Sequence, residues 1–436
     1  MSQGVIHVGL DIGTTKVVAV VASTEARTRR VEILGKGIAP STGLSRGVVT
    51  NIQKTAEAIR KAVDQAEAQS GLTIKRVHIG IAGDHVQDFT TRSIVTISSP
   101  TREISHDDVQ RVLEDARRVP IGPERRILHA IPQDYIIDGQ AGISDPIGMS
   151  GSRLEANVLI ITGALTAIDN MIRCAERADL EVASIVLQPL ASGLAVLDEG
   201  EREIGVALVD IGGGTTDIAI FKDGLLRSTS IFSIAGQKVT DDIVQMLSIL
   251  KADAERIKLD YGHAVAASIL RNDTFQVPGV GGRSPKEVSK SVLCQIIEPR
   301  MEEIFEFALQ ELMKSKLIHH LSAGIVITGG CSLLTGADEL AQRVFHMPVK
   351  IGIPGGFSIS GMAQEVSLPT FATAVGLIHY AVQQDADAVL AAASSVPHSS
   401  KHDKNSAQPI EDDSASLQQQ KKVGVFGKLR SWLEDL

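Results

Sequence analysis

One strand–turn–strand unit occurs twice in this chain. At 7–22 it reads HVGLDIGTTKVVAVVA, and at 205–224 it reads GVALVDIGGGTTDIAIFKDG. Each copy is an apolar β-branched run, then Asp-Ile-Gly, then small hydroxyl and glycine residues, then a second apolar run. Apolar runs bounded by glycine read as buried strands joined by a tight turn. A single long-range duplication, as opposed to a fixed-period array, points to two related α/β halves.

Bulk composition permits that architecture. A chain of 436 residues is long enough for two or more domains with buried cores. Its 43% hydrophobic and 22% charged content is ordinary for a globular chain. The formal charge of −9 argues against broad nucleic-acid binding, so no nucleic-acid partner is expected. Cys174, Cys294 and Cys331 are scattered, without CxxC or histidine company, which predicts neither a zinc site nor a disulfide framework. No signal peptide and no membrane-spanning run of about 18 apolar residues is expected, so the chain reads as cytoplasmic.

The chemistry of the two turns is legible. Glycines let backbone N–H groups approach an anion, and clustered N–H groups form a phosphate nest. Thr14, Thr15 and Thr215 add hydroxyl donors. A carboxylate at each strand end, Asp11 or Asp210, can hold hydrated Mg²⁺ beside phosphates. Either turn alone is also an ordinary Asp-Gly turn; the pairing within matched strands favours the phosphate reading. A third glycine turn, IVITGGCSLLTG at 325–336, supplies a wall for a nucleoside, or is a plain strand-to-helix turn. In AERIKLDYG, Glu255 and Lys258 share a helix face at i, i+3, where a surface ion pair is the simpler alternative.

These elements, in this order, resemble the actin-like ATPase superfamily of actin, Hsp70-type chaperones and sugar kinases. The resemblance spans roughly 5–385, with connecting helices at LQPLASGLAVL (187–197) and TFATAVGLIHYA (370–381). It implies an α/β, actin-like two-domain fold with a nucleotide cleft. It also implies ATP and Mg²⁺ as cofactors, with Asp11 and Asp210 organising the metal. Gly13, Thr14, Thr15, Lys16, Gly213, Gly214 and Thr215 would face phosphates. Gly329 and Gly330 would line the adenosine side, Glu255 and Lys258 would touch ribose or base, and Gly236 and Ser332 would be further cofactor contacts. Gln188 stands where some relatives orient the attacking water, although a glutamine before Pro189 also suits a helix start.

The branch within the superfamily is indicated by residues 85–162. There DDVQRVLEDARR predicts an amphipathic helix with Ile104, Val109, Val112, Leu113 and Ala116 on its apolar side and Ser105 as its cap. RSIVTIS and RILHAIPQDYIID read as flanking strands. Actin and the chaperones carry no such αβ subdomain in this place. With VDIGGGTTDIAIF and the tail described below, the insertion resembles the FtsA family of bacterial division proteins. That resemblance implies a first domain at 1–84 and 163–200 and a non-actin inserted subdomain at 85–162. It implies a second domain at 201–235 and 311–392, with its own insertion at 236–310. The family binds ATP, polymerises and tethers filaments of the tubulin-like protein FtsZ to the cytoplasmic face of the inner membrane. FtsZ's C-terminal tail, further copies of the chain, membrane lipids and other division proteins are the implied partners. Arg300 and Glu303 are the candidates for the FtsZ contact, and equally a structural i, i+3 pair. ATP hydrolysis is weak or slow at most on this reading.

The C-terminus is distinct in composition. Residues 393–420 are rich in Ser, Gln, Asp, Lys and Pro and cannot repay the entropy of ordering, so they read as a flexible spacer with a reach of roughly 30 Å. The end, KKVGVFGKLRSWLEDL at 421–436, places Val425, Phe426, Leu429, Trp432, Leu433 and Leu436 on one helical arc. Lys428 and Arg430 flank that arc, a pattern suited to a lipid interface. A helix that docks on the chain's own body, or on a partner, is the alternative. Two other classes share the cleft motifs. A sugar kinase would need a sugar-binding carboxylate and general base, for which no motif stands out, and a pilus-assembly adaptor would share the architecture without the FtsZ partner.

Overall fold

The computed structural model describes residues 4–25, 30–269, 271–358 and 362–394, the side chains of 387–394 excepted. The sequence duplication becomes two sheets of one topology. In the first, Val5–Ile12 pairs antiparallel with Lys16–Thr24 and parallel with Arg76–Ile81. In the second, Val206–Ile211 pairs antiparallel with Thr216–Lys222 and parallel with Ile325–Thr328. Each sheet is completed by an antiparallel strand on the hairpin side, Val31–Pro40 or Leu225–Phe232, and by a parallel strand on the other, Glu181–Leu187 or Val349–Ile351. The central strands are covered on both faces, which is why they read as unbroken apolar runs; Val206–Ile211 is buried at every position.

The helix Ile52–Ser70 packs on the first sheet, begins at an Asn51 cap and ends at Gly71 in the left-handed region. It also protects the sheet's edge. Gln65 and Gln69 accept the outward N–H groups of Ile38 and Lys36 at 3.0 and 2.9 Å, so that strand pairing cannot continue there.

Two helices expected to connect the halves, Gln188–Val196 and Ala372–Ser394, cross between the sheets. Glycine sets how closely: a Cβ on Gly376 would lie 1.8 Å from the Ala191 carbonyl oxygen. Around the crossing, Val18 and Val20 of the first sheet share one core with Ala219 and Phe221 of the second and with Phe371, Val375 and Ile378. The second half adds the helices Gly236–Leu247, Lys251–Tyr261 and Lys290–Lys314 and a short hairpin of Thr274–Val277 with Lys286–Ser289.

The inserted segment folds as a four-stranded antiparallel sheet, ordered Gln87–Thr96, Arg153–Ala164, Arg125–Ile137, Gln140–Ile143. The helix His106–Ala116 covers one face, with Ser105 and Asp108 forming the capping box. Ile104, Val112 and Ala116 meet Leu154, Ala156, Val158 and Ile160 in its core. Leu159 and Ile161 point the other way and join the central core. The insertion also touches the second half, where Asp88 Oδ2 accepts the Thr229 N–H at 3.0 Å and Gln133 Nε2 donates to the Leu226 carbonyl at 3.0 Å. The last helix runs to Ser394, and the rest of the expected spacer and the tail lie outside the described residues, including Phe426, Lys428, Leu429, Arg430, Trp432 and Leu433. Among the described residues no helix is long and apolar enough to cross a membrane.

Candidate functional site

The two duplicated turns face each other across a cleft. Each closes in the same way: Gly13 N donates to the Lys16 carbonyl and Gly212 N to the Thr215 carbonyl, both at 3.0 Å. Their tips abut. A Cβ on Gly213 would lie 2.4 Å from the Thr15 side chain, and one on Gly214 2.3 Å from Thr14 Oγ1. Glycine at 213 and 214 therefore makes room for the opposing threonines as well as baring backbone N–H groups.

The pocket between the turns is lined by Asp11, Gly13, Thr14, Thr15, Lys16, Gln188, Asp210, Gly213, Gly214, Thr215, Gly329 and Gly330. Three carboxyl groups and one amine meet there. Asp11 Oδ1 accepts from Gln188 Nε2 at 3.2 Å, and Asp210 Oδ2 accepts from Ser192 Oγ at 2.6 Å. Asp217 is the third: it lies opposite Asp210 in the hairpin register, is 4% exposed, and leaves Oδ1 without a partner. Burial pushes the Asp11 carboxyl up to about 7, with Lys16 pulling it down and Asp210 adding to the rise. Burial raises Asp210 too, against hydrogen bonds from Ser192 and Thr373 and the charge of Lys16. It raises Asp217 well above the usual carboxylate range, reinforced by Asp210. The Lys16 amine is lowered by burial, opposed by Asp11 and Asp210.

This group of oxygens under-provides positive charge. Carboxylate and hydroxyl donors with an orphan Asp217 oxygen suit a hard divalent cation such as Mg²⁺. Among the described residues no cluster of three or more His, Cys, Asp or Glu can enclose a metal by itself. A cation here would need oxygens from a bound ligand as well.

A second cavity of about 470 Å³ adjoins the first through Thr15, Lys16, Gly213 and Gly330. That volume suits a small-molecule site of about 300–1,000 Å³. Gly236, Leu259, Cys331 and Leu334 line it, as do Glu255 and Lys258. Lys258 Nζ donates to Glu255 Oε2 at 2.8 Å, Thr240 Oγ1 at 2.9 Å and the Gly236 carbonyl at 3.2 Å. The ion pair is thus real and sits in the cavity wall.

Two expected contacts lie elsewhere. Gly329 faces the turn pocket and not the larger cavity. Ser332 lines neither; its buried hydroxyl donates to the Gly329 carbonyl at 2.8 Å and holds the turn. Arg300 and Glu303 form an ion pair on the long helix Lys290–Lys314 and line neither cavity. Asp242 also grips Arg300, through Nε at 2.6 Å and Nη2 at 3.1 Å.

Asp217, Ser192 and Thr373 were not among the residues expected from sequence. Asp217 was readable in principle, because a hairpin closed at Gly212–Thr215 must set it against Asp210. Ser192 lies four residues after Gln188 on one helix face.

Solved structures match this arrangement across nearly the whole described chain. A PilM–PilN type IV pilus biogenesis complex aligns at TM-score 0.62 and 16% identity, covering 86% of this chain and 98% of that one. MreB5 of Spiroplasma citri bound to AMPPNP aligns at TM-score 0.52 and 15% identity, covering 90% and 99%. Twin five-stranded sheets enclosing a cleft, with crossing helices beneath, define an actin-like two-domain protein.

Sequence narrows the class. The family model for cell division protein FtsA matches residues 207–376, and that for the SHS2 domain inserted in FtsA matches 83–162. The cell division protein FtsA of Pseudomonas aeruginosa is 44% identical over 93% of this chain and 96% of its own length. That of Neisseria meningitidis is 41% identical over 98% and 97%, and that of Escherichia coli K12 39% over 86% and 89%. The chain belongs to the FtsA family of cell division proteins.

Proposed function

We propose that this protein binds ATP in the cleft, polymerises, and tethers FtsZ filaments to the cytoplasmic face of the bacterial inner membrane through residues 421–436. The observation that carries the nucleotide reading is the pair of abutting glycine turns, with their carboxylates and Lys16, opening into the larger cavity. Phosphates would sit between Gly13–Lys16 and Gly213–Thr215, and the nucleoside beside Gly236, Glu255 and Lys258. Asp11 and Asp210 would hold Mg²⁺, with Asp217 beside them; when bound, Mg²⁺ supplies charge neutralisation to the phosphates. Gln188, which bonds Asp11, would orient a water near the terminal phosphate.

The tail completes the reading. About six apolar residues at a lipid surface attach one molecule reversibly, whereas many tails on one polymer add avidity without new contacts. Nucleotide-dependent assembly would then govern membrane residence. Family membership supports the FtsZ partner over a pilus subunit. The test is co-sedimentation with anionic liposomes and Mg-ATP, comparing the native chain with Trp432→Glu. The native protein pellets and the variant stays in solution; equal pelleting overturns the membrane role of the tail.

A further inference from the structure

The inserted subdomain touches the cleft machinery at two places. The first is His129, on its strand Arg125–Ile137. The His129 ring is buried, and its Nε2 accepts the backbone N–H of Leu187 at 3.0 Å. Leu187 caps the helix Gln188–Val196, and the next residue, Gln188, bonds Asp11. One face of the His129 ring also meets Tyr380 of the other crossing helix, edge-on at 5.8 Å. A buried N–H without an acceptor is rare, so a side chain of the insertion holds the start of the helix that aims Gln188. To accept at Nε2 the imidazole must be neutral, and burial holds its proton affinity down to about 4.

The second place is the root of the insertion. Thr14 Oγ1, in the first turn, accepts the Gly47 N–H at 3.3 Å. Gly47 packs directly on the next segment, since a Cβ there would lie 2.7 Å from the Ala82 carbonyl oxygen. His85, three residues on, accepts the Ala164 N–H on Nδ1 at 3.3 Å, tying the entry strand to the exit strand. Arg125 Nη2 donates to the His85 and Thr162 carbonyls at 2.9 and 3.1 Å. The turns themselves abut, and the pocket between them measures about 60 Å³, room for a few waters. A chain of phosphates seated there would bear on both turns.

We propose that His129 is a positioning residue for Gln188, and that through it and the Thr14–Gly47 and Gly47–Ala82 contacts the seat of the inserted subdomain is coupled to nucleotide occupancy. This rests on the nucleotide reading of the cleft. Coupling of this kind is reciprocal: whatever shifts the insertion also shifts nucleotide affinity by the same factor.

The experiment compares the full chain with His129→Phe, which keeps a ring but removes the acceptor, and His129→Gln, whose Oε1 restores one. Amide exchange is measured at 82–89 and 162–165, with and without Mg-AMPPNP, alongside nucleotide affinity and single-turnover ATP hydrolysis. Exchange within Val206–Ile211 serves as the control for an intact fold. In the native chain nucleotide slows exchange at both roots by about fivefold or more. The Phe variant still binds nucleotide but loses that response and hydrolyses more slowly, and the Gln variant recovers both. A Phe variant that responds like the native chain, or a Gln variant that fails as Phe does, overturns the proposal. Absence of nucleotide binding in the native chain refutes the cleft reading itself, whereas binding without movement at the roots refutes only the coupling.

Discussion

Replacing Asp11 with Asn should stabilise the nucleotide-free protein, and only at the higher end of the pH range. The rise of the Asp11 carboxyl from 3.8 to about 7 means the folded chain holds a proton there that the unfolded chain gives up. Between those values the folded state binds more protons, so stability falls as pH rises, and the whole penalty is present above about 7. At about 1.4 kcal/mol per pH unit the ceiling is roughly 4 kcal/mol. Two features bring the gain below that ceiling: Asp11 keeps some access to cleft water, and Asn costs Lys16 a neighbouring charge. Asn retains the oxygen that accepts from Gln188 Nε2, so packing is preserved. The assay is chemical denaturation without nucleotide or Mg²⁺ at pH 4 and pH 8, native against variant. The two proteins should match at pH 4, and the variant should be more stable by about 1–4 kcal/mol at pH 8. A difference that is the same at both pH values refutes the reasoning, because it would then come from packing and not from a buried charge. On the proposed function, the same substitution weakens Mg-ATP binding.

Other consequences can be checked separately. Ser192→Ala removes the hydroxyl that favours ionised Asp210, so the Asp210 carboxyl stays protonated to higher pH. On the proposed function, Mg-ATP affinity by calorimetry should fall about tenfold at pH 6 and recover as pH rises. The double change Gln65→Ala, Gln69→Ala uncovers the N–H groups of Lys36 and Ile38 on the edge strand. It should cost at most about 1 kcal/mol per bond in a thermal melt while raising self-association in light scattering, as an open edge strand does.

Much of the fold was readable because its strongest constraint is local. Each duplicated unit carries its own strands and turn, and the hairpin within each sheet follows from pairing that needs no distant information. The helix His106–Ala116 was readable for the same reason, from a capping box and an apolar stripe. What escaped depends on contacts between segments far apart in the chain. Nothing near Gln133 or Asp88 announces that the insertion bonds Leu226 and Thr229 in the other half. Arg300 and Glu303 were legible as a pair, but Asp242, which also grips Arg300, sits on another helix. Ser332 was expected as a cofactor contact from the family resemblance, but the tight turn at Gly329–Gly330 directs its hydroxyl inward onto the Gly329 carbonyl.

The site itself lies in the departures from the repeat. By hairpin register, Gly13–Thr14–Thr15–Lys16 in the first turn corresponds to Gly212–Gly213–Gly214–Thr215 in the second. Two identical turns could not abut, since a threonine on both sides would fill the space that Gly213 and Gly214 leave open for Thr14 and Thr15. Lys16 has a hydroxyl, Thr215, as its counterpart, so the two turns bring one lysine to the pocket between them. Asp11 is repeated as Asp210, but Val18 becomes Asp217, so three carboxyls arise from a twofold frame. Burial raises the proton affinity of all three carboxyls above the usual value, and the charge of Lys16 offsets that rise at Asp11 and Asp210. A symmetric pair of turns would make a symmetric anion nest. The asymmetry at Lys16 and Asp217 breaks that pattern, with a lysine on the first hairpin and an extra carboxyl on the second.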